Sequence, residues 1–90
     1  RRGRELESLA FFNQAIELDP VFAQAHATLA TVYGVLGELE RSERHAREAY
    51  EHQDRVSERE RLIIRYQYHD RVTGDQEAVI ETLQVWQGAY

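Results

Sequence analysis

Leu9, Phe12, Ala15 and Ile16 are spaced three and four residues apart, and so are Ala25, Leu29, Val32 and Tyr33. At 3.6 residues per turn each set forms one apolar stripe, with charged and amide side chains on the remaining faces. No alternation of period two competes with this pattern. The spacing predicts five amphipathic helices at about 4–18, 21–36, 38–53, 57–72 and 75–88. Linkers of a few residues make consecutive helices antiparallel.

Two kinds of punctuation separate the helices. Asp19-Pro20 holds the only proline, a residue that cannot continue a helix from within but suits the first turn of the next. Asp19 is placed to cap that next helix. Gly37 and Gly74 mark the other kind of junction, a tight turn that needs positive φ. At an offset of 34 residues Gly3 falls over Gly37, Ser8 over Ser42, Ala15 over Ala49 and Leu29 over Ile63. The chain is therefore read as a repeat.

In that register the sequence resembles the tetratricopeptide repeat, a unit of two antiparallel helices with a closing proline. Residues 23–56 form the most complete unit. His26 takes the family's Trp position, Leu29 and Ala30 its Leu and Gly, and Tyr33 its Tyr. Gly37 sits at the turn, and Ser42, Ala46 and Ala49 occupy the second helix. Residues 3–20 match the second half of an earlier unit through Gly3, Ser8, Phe12, Ala15 and Pro20. Residues 57–90 match a third, in which Gly74 comes three residues late. Asp54 stands for the closing Pro, Gln67 for Tyr and Trp86 for Ala. An indole in place of a methyl group requires a displaced helix or a different packing partner.

The resemblance implies an all-α fold, a right-handed solenoid of antiparallel helical hairpins with about two and a half repeats and five helices. It implies a non-catalytic protein-interaction module that takes a peptide or partner helix in a concave groove. Family groove positions fall on Gln24, Ala27, Thr31, Gly34 and Val35, and on Glu58, Arg61, Arg65, Tyr68 and His69. The candidate binding residues are Gln24, Thr31, Arg61, Arg65, Tyr68 and His69. The middle unit lacks the Lys and Asn of the carboxylate-clamp subfamily. More loosely, residues 55–90 are similar to repeat arrays C-terminal to bacterial serine/threonine protein kinases and to some winged-helix regulators. A sensory or dimerisation segment of such a protein is the alternative expectation, although the kinase motifs themselves are absent.

Read from the residues alone, Arg61 and Arg65 are i, i+4 neighbours whose guanidinium forks could converge on a carboxylate or phosphate. Pairing with Glu58 or with an acidic residue of a neighbouring helix would satisfy them equally well. By the resemblance, Phe11, at one end, and Leu83, Trp86 and Tyr90, at the other, lie where a further helix of the family's array would dock. Self-association through these ends is expected.

Composition narrows the rest. The net charge is −5, with 16 acidic against 11 basic residues, which disfavours nucleic acid as a general partner. The absence of cysteine removes disulfides and thiolate chemistry. His26, His45, His52 and His69 have no His partner at helical spacing, so no metal or cofactor is expected. His26 is expected in the packing and the other three on polar faces. Glu40–Arg44, Glu43–Arg47 and Arg47–Glu51 read as solvated i, i+4 pairs rather than acid–base machinery. Apolar runs fall short of a membrane span, and no signal-peptide pattern is present. The expectation is a cytoplasmic, non-enzymatic segment with a protein or peptide partner, acidic if it meets Arg61 and Arg65.

Overall fold

The computed structural model describes residues 2–90. Five α-helices follow one another: α1 (Arg2–Leu18), α2 (Ala23–Val35), α3 (Leu39–Glu51), α4 (Glu58–Tyr68) and α5 (Gln76–Ala89). A 3-10 turn at Gln53–Arg55 precedes α4, and a π-helical turn at His69–Thr73 follows it. Among the described residues there is no strand, and no helix is long and apolar enough to cross a membrane.

The junctions show how sequence sets these limits. Gly37 and Gly74 adopt φ of 79° and 71°, the left-handed region in which a Cβ would be strained. Ser57 opens α4 with a capping box: its hydroxyl accepts from the Glu60 amide at 3.2 Å, and the Glu60 carboxylate accepts from the Ser57 amide at 3.4 Å. Asp75 opens α5 by accepting from the Ala78 amide at 3.1 Å. Asp19, expected to cap α2, does not. Its carboxylate reaches only the Val21 amide at 3.4 Å, and α2 begins at Ala23 behind an extended Phe22 that makes no side-chain cap. The Pro20 carbonyl is instead bonded by the His26 ring.

The late glycine of the last unit has a local explanation. The Gly74 amide donates to the His69 carbonyl five residues back at 2.9 Å, so the extra residues are taken up in one wide turn.

Small residues bring the helices together. α2 and α3 pack closely through Ala25, Ala30, Ser42 and Ala46, all buried, and the Ser42 hydroxyl donates to the Ala30 carbonyl at 2.6 Å. α4 seats against this hairpin at a cluster of Ala23, Ala49 and Ile64, with Ala27, Tyr50 and Val56 packed around it. Each helix packs on its neighbour in sequence, and α2 also touches α4. Leu29, fully buried, anchors α2. Trp86, at a position expected to hold a small residue, lies partly buried in a cleft between α4 and α5 beside Leu62 and Thr82, with the Arg59 guanidinium 5.4 Å from its ring centroid. Of the three expected intrahelical ion pairs only Glu43–Arg47 forms, at 3.2 Å, among the described residues. Surface pairs of this kind contribute little.

Candidate functional site

α2 and α4 lie side by side with a cleft of about 170 Å³ between them, lined by Ala27, Ile63 and Ile64 and edged by Gln24, Thr28, Thr31, Glu60 and Gln67. The alanine of α2 leaves room that the two isoleucines of α4 do not fill. Gln67, with only 4% of its surface exposed, spans the cleft's inner wall. Its amide donates to the Ala27 carbonyl at 3.2 Å and to the Thr31 hydroxyl at 2.7 Å, tying α4 to α2. The carbonyl oxygen of that amide is buried without a partner. Flipping the amide would set oxygen against oxygen at Ala27, so the donor assignment stands.

The six candidate groove residues divide into two groups. Gln24 and Thr31 belong to the α2/α4 cleft. Arg61 and Arg65 turn toward the joint after α3, where one residue holds both: the Arg61 Nε donates to the Gln53 backbone carbonyl at 3.2 Å and the Arg65 Nε to the Gln53 side-chain oxygen at 3.0 Å. Gln53 thus offsets the i, i+4 repulsion without neutralising it. Among the described residues neither arginine has a carboxylate within ion-pair distance, Glu58 included. Tyr68 stacks on Tyr50 of α3, with ring centroids 3.8 Å apart and planes at 9°. His69 meets both rings edge-on and shares a hydrogen bond of 3.1 Å with the Thr73 hydroxyl. Arg65 and His69, with Tyr50 and Glu81, border a second, more polar recess of about 280 Å³.

Gly34, a groove position from the resemblance, is covered by the π-turn. A Cβ there would lie 3.0 Å from the Arg71 guanidinium and 3.4 Å from the Ser42 hydroxyl. The late turn therefore lays a cation over the C-terminal end of α2.

His26 and His45 form a pair that spacing along the chain did not reveal. His26 is buried as expected, but His45, expected on a polar face, is partly buried and stacked between the rings of His26 and Tyr33. The Nδ1 atoms of the two histidines are 2.9 Å apart, and the His26 Nε2 lies 2.9 Å from the Pro20 carbonyl. A carbonyl only accepts, so the His26 Nε2 donates to Pro20, and the two facing Nδ1 atoms share a single proton between them. Burial first, then the charges of His26 and Arg44, push the His45 pKa down from 6.5 to about 4. Arg41 closes the column with its guanidinium 5.8 Å from the Tyr33 ring centroid.

One group among the described residues, Glu48, Glu51 and His52, brings three possible metal-ligand atoms within 4.8 Å of one another on the last turn of α3. Glu48 and His52 are half-buried and Glu51 is exposed, and the His52 Nε2 lies 4.0 Å from the Glu48 carboxylate.

At the ends, Phe11 of α1 is 64% exposed, and Leu83 and Tyr90 of α5 are 45% and 59% exposed. Trp86 lines an apolar cleft of about 160 Å³ with Leu62, Ile63, Tyr66, Thr82 and Leu83. No protein-family model, curated protein or solved structure matches this chain.

Proposed function

We propose that the chain is a right-handed array of tetratricopeptide-like hairpins and acts as a non-catalytic protein-interaction module. The α2/α4 cleft would receive a side chain from a bound peptide or partner helix. The observation that carries this reading is the cleft itself, between the first helices of the two hairpins, with an apolar floor and an amide and hydroxyl rim at the residues Gln24 and Thr31. Its volume of about 170 Å³ is below the roughly 300–1,000 Å³ of small-molecule and cofactor sites. It suits one inserted side chain better than a whole ligand. The helix order supports the array, since consecutive helices pack in turn and α2 meets α4.

A photoreactive residue at Thr31 should crosslink the partner, and Gln24→Arg, which fills the rim, should abolish the adduct. Equal capture from a probe at exposed Glu77 on α5, or capture indifferent to Gln24→Arg, would refute the assignment.

An acidic partner at the other face is a second reading, favoured by the two guanidinium groups that no carboxylate of the described residues neutralises. Reversing both charges, Arg61→Glu with Arg65→Glu, should weaken an acidic partner more than a neutral one.

A further inference from the structure

α1 and the α4/α5 pair stand at opposite ends of the packing order, and each leaves one apolar surface bare. On α1, Phe11 and Leu18 lie two turns apart on one face, 64% and 89% exposed. Arg4, Glu7 and Gln14 share that face at helical spacing. The ring of Phe11 is mostly exposed and meets Phe12 at right angles, with centroids 5.0 Å apart. Between α4 and α5 the cleft of about 160 Å³ is walled by Leu62, Ile63, Tyr66, Leu83 and Trp86, with Thr82 as its only polar lining residue. A cavity of about 150 Å³ is enough to hold a benzene ring, so the cleft fits one phenyl group.

Charge selects among possible occupants. Arg59 lies one turn before Ile63 on α4, its guanidinium 5.4 Å from the Trp86 ring centroid and 5.7 Å from that of Tyr90. Among the described residues it pairs with no carboxylate, and neither does Glu7 pair with a cation. Glu7 lies one turn before Phe11. A phenyl knob with a carboxylate one turn away thus matches a phenyl-sized cleft with a guanidinium one turn away.

We infer that the occupant of the α4/α5 cleft is Phe11 of a second copy of this chain, with Glu7 of that copy against Arg59. The knob and the cleft are different surfaces at opposite ends, so the contact is head-to-tail and leaves a free knob and a free cleft at the ends of every open assembly. Association then continues with concentration instead of stopping at a dimer. The inference does not rest on the α2/α4 cleft.

Complementary variants of the whole chain test it in sedimentation velocity. Phe11 and Leu83 are exposed, so Phe11→Ala and Leu83→Arg should leave the helical circular dichroism unchanged while each weakens self-association at least about tenfold. Mixed together, the two should form a closed one-to-one dimer, because one retains the cleft and the other the knob. Trp86 emission should shift to the blue in the mixture only. Glu7→Arg or Arg59→Glu alone should weaken wild-type association about threefold, and the two combined in one chain should restore it. A wild-type chain that is monomeric at about 200 µM, a concentration adequate for small transient contacts, would overturn the inference and leave the cleft to a different partner. Association unaffected by either variant, or a mixture with no one-to-one species, would overturn it as well.

Discussion

Acidification should loosen this protein at the His26–His45 contact. His45 stands at about 4 in the folded chain against 6.5 for a free imidazole, so the unfolded chain binds more protons throughout that interval. Stability from this ring is complete above 6.5 and is lost as pH falls toward 4. Integrated over both titrations, the loss between pH 7 and pH 5 is about 1.8 kcal/mol at full linkage. The ring is only partly buried, so solvent screening reduces this to about 1 kcal/mol. For a domain whose whole stability is about 5–15 kcal/mol, a change of this size is readily measured. Urea unfolding followed by circular dichroism at pH 7 and pH 5 gives the wild-type difference. His45→Gln keeps an amide donor for the Nδ1 of His26 and removes the titration. The wild type should therefore lose about 1 kcal/mol more than His45→Gln over the same interval. Equal losses in the two proteins would show that His45 is solvated and that the stacked pair contributes nothing to pH dependence.

Three further substitutions probe the packing, each read by the same denaturant titration. Leu29→Ala, at the largest fully buried side chain of α2, should cost about 2–5 kcal/mol, and a loss below 1 would mean that the α2 core is loose. Ser57→Ala removes the hydroxyl half of the α4 capping box and should cost about 1 kcal/mol, with Ser57→Asp close to wild type. Gln67→Leu forfeits two hydrogen bonds but also removes a buried, unpaired carbonyl. It should change stability by less than about 1 kcal/mol, where a fully satisfied buried amide would cost more.

The helices were legible from apolar stripes at 3.6-residue spacing and from their breaks: Asp19-Pro20 before α2, and glycines in left-handed turns at Gly37 before α3 and Gly74 before α5. Ser42, Ala46 and Ala49, assigned to the second helix of the unit, all lie on α3 and are buried. Capping was read less well. Asp19 attracted attention beside Pro20, whereas Ser57-x-x-Glu60, the sequence signature of a capping box, set the start of α4 and was available in the sequence. The histidine pair was hidden for a different reason. His26 and His45 are separated by nineteen positions, and only the packing of α2 on α3 creates their contact. Arg61 and Arg65 were correctly grouped on one face, but their anchor is an amide, Gln53, in a turn with no periodic signal.

The wide turn at His69–Thr73 uncouples the length of the chain from the phase of its packing faces. Leu62 and Ile64 before it and Val79 and Thr82 after it all lie on the inside. Insertions at such a point are tolerated because they lengthen a surface turn instead of rotating a helix. The turn also carries Arg71 onto Gly34. Substitution at position 71 can therefore vary the surface at that end of α2 with no change to the scaffold beneath it.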